Sequence, residues 1–395
     1  MPVPEVVERL LPAALTWRRR LWTYQRNRGT AYRESVCNAP FTNMYFSVKG
    51  HVAPCWLHWP DPPPEWGPER SLLDIWRGPE LDHLRTELRA ARFPGRCSEC
   101  RHDIETGNRP LAAAYDNEHP LGEYPTMLEL ELSNLCNLEC VMCHGLLSSK
   151  IRKNREHLPP LHSPYDESFA EQVAEVAPHL QELRINGGEP LLQPVVHQIV
   201  ERVGAVAPAL RITIATNGTV MNAKVRRLLD VATLHFNISI DSLVPERYES
   251  IRVDASFEKL MANFEVFREY CARNDRNLAV MVNPMRVNWD EMADFVWWCT
   301  EQDAHLWFNT IREPAHLALH NLDREQLSKI HDTLSQAELP VPADGPEGYT
   351  AQGNIGVFRR FVDHQLTTWR DEAGAVAVTG VPVQIGRAPK ARSAS

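Results

Sequence analysis

"TMLELELSNLCNLECVMCHG", residues 126–145, couples an alternating run of leucine and glutamate to three cysteines within eight positions. The alternation predicts a strand, since successive side chains of an extended chain point to opposite faces. Disulfides are a poor use of the thiols: three is odd, and loops of two or three residues strain the bridge geometry. A metal cluster with one iron left open fits better, because thiolates hold iron–sulfur clusters and three protein ligands on four irons leave one iron for a substrate or cofactor. A zinc ion here would need a fourth ligand, and the adjacent His144 is badly placed to share a tetrahedral ion with Cys143.

Outward from this stretch, short β-type runs alternate with helical patterns, the signature of consecutive βα units and a parallel sheet. Six strands are predicted, at 127–132, 182–186, 210–215, 234–240, 278–283 and 304–309. Within 234–240, Phe236, Ile238 and Ile240 form one row and Asn237, Ser239 and Asp241 the other. In a barrel of parallel strands the apolar row packs under outer helices and the polar row lines the interior. Glu129, Glu131, Arg184, Asn186 and Asn309 fall on that inner row, so the interior is expected to hold something polar. Stripes at helical spacing run through Phe257, Leu260, Met261, Phe264, Phe267 and Cys271, and through Met292, Phe295, Val296 and Cys299, the latter behind a capping-box-like Asn288 and Glu291. Cys271 and Cys299 therefore read as core residues.

The 395 residues, 43% of them hydrophobic, predict one main domain of roughly 200 to 250 residues and an accessory piece. A net charge of -9 without a basic stripe argues against a nucleic-acid partner. No apolar run approaches the roughly 18 residues that span a bilayer, so no membrane is expected. The first apolar run precedes its arginines, the reverse of an export signal, which predicts a cytoplasmic protein. Nine cysteines, an odd number, favour metal ligation over a disulfide framework in that compartment.

Before residue 120 the βα alternation is missing, and "PDPPPEWGPE" cannot lie inside a helix or sheet. The expected organisation is a helical arm over 1–35, a small cysteine-rich α+β domain over 36–120, a partial (β/α)6 barrel over 121–315, a helical segment over 316–370 and a disordered tail over 371–395. The front domain carries Cys37, Cys55, Cys97 and Cys100, a hairpin over "MYFSVKGHVAPCW" turning at Lys49 and Gly50, and a helix over "SLLDIWRGPELDHLRTELRAA".

The spacing Cys136-x3-Cys140-x2-Cys143 after such a strand resembles the radical S-adenosylmethionine (radical SAM) superfamily. The resemblance implies a partial six-stranded βα barrel and a 4Fe–4S cluster on these three cysteines. SAM would chelate the open iron, and one electron would split it into methionine and a 5′-deoxyadenosyl radical that takes hydrogen from a substrate. Met142 stands where family loops usually carry an aromatic, and a soft apolar side chain can fill that space. Further motifs follow in order at strand ends. "INGGEP" is similar to the family's GGEP motif, which implies that Gly187 and Gly188 approach the SAM methionyl group, that Glu189 meets its amino group and that Pro190 opens a helix. Thr216, Asn217 and Gly218 match the TNG segment, Ser239 and Asp241 match positions near SAM or its ribose, and Arg252 matches an arginine near the SAM carboxylate.

The front segment resembles the SPASM and twitch segments of many radical SAM enzymes, which normally follow the barrel but here precede it. The resemblance implies that Cys37, Cys55, Cys97 and Cys100 hold an auxiliary 4Fe–4S cluster, and four thiolates suffice for one fully ligated cluster. A four-thiolate zinc knot is also compatible with the spacing.

Three thiols for SAM and four for the auxiliary cluster leave only the two core cysteines, so no barrel thiol remains to return hydrogen as radical epimerases of this superfamily require. Oxidation, with the auxiliary cluster as electron acceptor and a flavodoxin- or ferredoxin-type reductant, is the expected chemistry. Peptide or protein modification, such as cross-link or thioether formation, and rearrangement of a small sugar or nucleoside are the alternatives, as is a non-catalytic binding protein on the same scaffold. No D-x-H-x-x-G cobalamin signature occurs. Arg286, Trp307, Asn309 and Arg312, near the last strands, are candidates for substrate contact.

Overall fold

A computed structural model describes residues 13–29, 33–106, 110–116, 122–343 and 348–379. Among these the chain divides into two compact units: residues up to Glu139 with Cys143–Asn237 and Glu269–Arg276, and Cys140–Met142 with Ile238–Arg268 and the chain from Asn277 onward.

The first unit is built on a mostly parallel sheet. β1 (Asn43–Phe46) pairs antiparallel with β2 (Val52–Ala53) and parallel with β3 (Met127–Glu131). β3 pairs parallel with β4 (Glu182–Asn186), and β4 with β5 (Arg211–Thr216). Beyond β5, the Ile212 amide donates to the Thr233 carbonyl (3.4 Å), just ahead of β6 (Leu234–Ser239). The alternation in "LELEL" has its expected effect, with Leu128 and Leu130 fully buried under the helices. Helix Glu167–Val176 is started by the Asp166 carboxylate, which accepts from the Ser168 and Phe169 amides, and buries Phe169, Ala170, Val173 and Val176 at helical spacing. Helix Pro194–Val206 buries Val196, Ile199, Val200 and Val203 in the same way.

The β1–β2 hairpin turns at Gly50, whose φ of +87° suits only glycine at low cost. Parallel pairing of β1 with β3 means that the chain between β2 and β3 is the crossover joining them. That crossover carries Cys55, Cys97 and Cys100. The helix expected over 71–91 is broken in two: Leu72–Trp76, with a Ser71/Asp74 capping box, and Pro79–Arg89. Pro79 takes a first-turn position and forces Gly78 out of the helical region, which ends the first piece. The proline-rich loop is pinned by Trp66, whose indole donates to Gln172 Oε1 (3.1 Å) and whose ring stacks on Tyr165 (5.4 Å between centroids). The helical arm is present as helix Ala13–Asn27.

In the second unit the chain leaving β6 gives the Ile240 amide to the Met281 carbonyl (3.1 Å) on β7 (Leu278–Val282). β7 pairs parallel with β8 (His305–Phe308). Asn354 on helix Tyr349–Arg359 accepts from the Leu306 amide (2.7 Å) and donates to the Ala304 carbonyl (3.0 Å), covering backbone groups of β8. Leu260, Phe264, Phe267, Cys271 and Cys299 are buried as their stripes require. Burial alone pushes the Cys299 thiol up, and it pushes that of Cys271 to about 12. The tail expected over 371–395 starts as helix, Thr367–Thr379, and its remainder lies outside the described residues. Among the described residues no helix is long and apolar enough to cross a membrane.

Candidate active site and metal centres

In the first unit the cysteine loop leaves β3 as irregular chain held by side chains. Asn134 donates to the Gly145 carbonyl (2.8 Å), Ser148 Oγ to the Leu138 carbonyl (2.7 Å), and the Cys136 amide to Ser149 Oγ (3.3 Å). Asn137, which the sequence reading passed over, donates to Thr219 Oγ1 (2.8 Å) and accepts from Asn217 Nδ2 (3.0 Å).

Gly187 and Gly188 face this loop. Gly187 has φ +89°, and a Cβ there would come within 2.6 Å of Glu131 Cγ; at Gly188 it would come within 2.4 Å of the Leu135 carbonyl. Two glycines are therefore what let the end of β4 pass beneath the start of the cysteine loop. The next amide, of Glu189, donates to the same Leu135 carbonyl (2.7 Å).

Glu189 is fully buried. Its carboxylate accepts from Thr216 Oγ1 (2.8 Å), the Asn217 amide (2.7 Å) and the Leu191 amide (3.1 Å), tying the end of β4 to the TNG segment after β5. Pro190 opens a single 3-10 turn, Pro190–Leu192, and not the helix; that helix starts at Pro194 because Gln193 between them is extended.

Of the predicted polar inner row, Glu129, Glu131 and Arg184 share one network, whereas Asn309 is exposed. Buried Glu129 accepts from Tyr115 Oη (3.2 Å), Asn43 Nδ2 (3.1 Å) and Arg184 Nη1 (3.2 Å). Burial raises its carboxyl pKa against the pull of Arg184. Glu131 is pushed to about 7 by burial, with Glu129 adding to the shift and a hydrogen bond from Tyr45 opposing it. Neither Asn43 nor Tyr115 was anticipated; the part of Asn43 depends on β1 joining the sheet.

In the second unit Arg252 stands 2.7 Å from Asp241 and 4.0 Å from Cys140 Sγ. Asp241 also accepts from the amide and side chain of Asn283 (2.8 and 2.9 Å). Asn288 is not a capping-box residue. Its side chain accepts from the Met285 amide (2.7 Å) and donates to the Asp241 (2.6 Å) and Asn283 (3.0 Å) carbonyls, fixing the turn under Asp241. Burial pushes the Cys140 thiol up, and Arg252 pulls it down. Met142 packs with Val141 against the apolar cluster of Ile251, Met285 and Leu317. Ser239 is the half-buried last residue of β6. Trp307 and Asn309 are exposed and Arg286 is half-buried, donating to the Ala318 carbonyl (3.2 Å); Arg312 is exposed.

Cys37, Cys55, Cys97 and Cys100 line one cavity in the first unit, walled by Leu57, Phe93 and Tyr115 among others. The thiols are pushed up by burial, to about 11 at Cys55 and about 12 at Cys97, and at Cys37 the neighbouring Cys55 adds to it. Four thiols around an apolar space, those of Cys55 and Cys100 buried and those of Cys37 and Cys97 half-buried, are a donor set for a cationic centre, which removes the cost of ionising them. Among the described residues no three such side chains are arranged around a single ion; what these four share is a cavity.

A model of the Radical SAM superfamily matches residues 130–298, and one of the SPASM iron-sulfur cluster-binding domain matches residues 37–101. The chain carries a radical SAM domain and a SPASM domain. The radical SAM domain implies a 4Fe–4S cluster and S-adenosylmethionine, and the SPASM domain implies additional iron–sulfur clusters. It is similar to the GTP 3′,8-cyclase of Streptomyces coelicolor, 27% identical over 57% of this chain and 64% of that protein. It is also similar to the AdoMet-dependent heme synthase of Methanosarcina barkeri, 32% identical over 37% of this chain and 40% of that one. The chain thus covers less than two thirds of either relative. Among solved structures, Streptococcus suis SuiB bound to S-adenosylmethionine is 14% identical, with a TM-score of 0.40 over 69% of this chain and 62% of SuiB.

Proposed function

We propose that this radical SAM enzyme is an oxidoreductase in which the front thiols hold an electron-accepting auxiliary cluster. The observation that carries the reading is the convergence of Cys37, Cys55, Cys97 and Cys100 on one cavity, while the two remaining cysteines outside the loop, Cys271 and Cys299, are buried among helix side chains. Cys136, Cys140 and Cys143 would hold the SAM-binding 4Fe–4S cluster. Gly187, Gly188, Glu189, Pro190, Thr216, Asn217, Ser239, Asp241 and Arg252 would be the SAM-binding residues. When bound, the two clusters and SAM supply hydrogen abstraction from the substrate and a sink for the electron left behind.

The chain's own part is electrostatic and positional. Glu189 fixes the TNG segment, and Asp241 holds Arg252 so that a cation stands beside Cys140, where it lowers the cost of a thiolate. A flavodoxin- or ferredoxin-type protein would deliver the initiating electron. The substrate would be a peptide or a small biosynthetic intermediate, met near Arg286, Trp307, Asn309 and Arg312.

Anaerobic reconstitution followed by iron, sulfide and zinc analysis tests this directly. About eight irons per chain are expected. Four irons with one zinc would remove the electron acceptor. Cys97→Ala should abolish substrate turnover while sparing deoxyadenosine formation from SAM after dithionite; equal loss of both would make the front segment purely structural.

A further inference from the structure

The four-thiol cavity is also lined by His58, which is only 6% exposed. Its Nδ1 is buried and has no hydrogen-bond partner among the described residues. A buried nitrogen left unsatisfied is costly, so native structures rarely leave one without something to bond. Tyr115, the other polar group in the wall named above, has its hydroxyl committed to Glu129 (3.2 Å).

His58 is also placed by the thiol segment itself. Its amide donates to Cys55 Sγ (3.3 Å), which closes the Cys55–His58 stretch around that sulfur. The Nδ1–Cε1 edge of the ring lies against Gly95, where a Cβ would stand 3.7 Å from Nδ1 and 3.4 Å from Cε1, and Gly95 has φ +51° just ahead of Cys97. The ring is thus held between Cys55 and the Cys97–Cys100 pair, facing a space otherwise bounded by thiols and apolar groups.

We propose that His58 is a second-layer residue of the auxiliary centre, whose Nδ1–H donates to a sulfur of the cluster held by Cys37, Cys55, Cys97 and Cys100 and raises its reduction potential. Hydrogen bonds to cluster sulfurs spread the negative charge added on reduction, which favours the reduced state. An acceptor cluster benefits from that direction of shift. The inference rests on the reading that iron, not zinc, fills this site.

The test uses the full chain carrying Cys136→Ala, Cys140→Ala and Cys143→Ala, so that the front centre gives the only cluster signal. His58→Leu and His58→Asn are introduced into it, the asparagine because its Nδ2 can take the place of Nδ1. Iron, sulfide and zinc are counted, and a redox titration is followed by electron paramagnetic resonance. Expected are the same iron and sulfide content in all three chains, a midpoint shifted to lower potential in His58→Leu, and one close to the parent in His58→Asn. An unchanged midpoint in fully loaded His58→Leu would overturn the proposal and leave His58 as packing. Loss of iron from both variants would overturn it by making His58 a ligand or a structural residue. If only the leucine variant loses iron, a parent-like midpoint in the asparagine variant supports the donor and a lowered one refutes it. Zinc in the parent chain would refute the underlying reading itself, and is seen before any potential is measured.

Discussion

The guanidinium of Arg252 lies 2.7 Å from the Asp241 carboxylate, with the two side chains 8% and 0% exposed. Removing one member of such a buried pair strands the other charge and typically costs about 3–5 kcal/mol. Asp241→Asn is therefore expected to lower the thermal unfolding midpoint clearly and to abolish deoxyadenosine formation, since Arg252 would no longer be held beside Cys140. Calorimetry of the reconstituted protein, with chromatographic assay of SAM cleavage, checks both.

Thr216 gives Glu189 one of the three hydrogen bonds that hold its carboxylate. A hydrogen bond to a charged group contributes about 1.5–3 kcal/mol. Thr216→Val should reduce stability by that order and weaken SAM binding while leaving iron content intact. Equilibrium binding of SAM to the reconstituted chain separates the two effects; unchanged affinity would restrict Glu189 to a structural part.

At Gly188 a methyl group would come within 2.4 Å of the Leu135 carbonyl, one residue before Cys136. Backbone cannot yield as a flexible side chain can, so Gly188→Ala should displace the cysteine loop. The expected outcome is loss of about four irons per chain with near-normal circular dichroism. Full iron loading in this variant would show that the loop has room to move.

Glu131 carries a folded-state carboxyl pKa raised by burial to about 7, above an unfolded value of about 4.3. Between these values the folded chain binds more protons than the unfolded one, so this group makes stability fall as pH rises from about 4.3 to about 7, with no further change above. Glu131→Gln keeps a neutral side chain throughout and should remove that part of the slope, a difference on the order of 3 kcal/mol at pH 8. Urea unfolding across this range, wild type against variant, measures it.

The six predicted strands lie where alternation and strand-end motifs placed them, because both signals are local: a residue's facing follows from its neighbour's, and a glycine pair marks its own turn. The pairing of Tyr45 with Glu129 was not legible, since nothing near either residue announces a partner more than eighty positions away. Asn43 was missed for the same reason, its partner Glu129 lying 86 positions on. The break before Pro79 could have been read from proline chemistry alone. His58 also had a signal, the spacing Cys55-x2-His58, which places an imidazole three residues after a thiol.

The crossover between β1 and β3 has a bearing on the life of the polypeptide in a cell. The thiol-bearing stretch is the tether that seats one strand beside the other, so on the proposed reading that iron fills the cavity, failure to acquire it would unseat the hairpin as well as empty the pocket. Maturation and survival would then be linked: newly made copies that never meet the assembly machinery would open at Asn43–Ala53, become substrates for proteases and be cleared before they could split S-adenosylmethionine to no purpose.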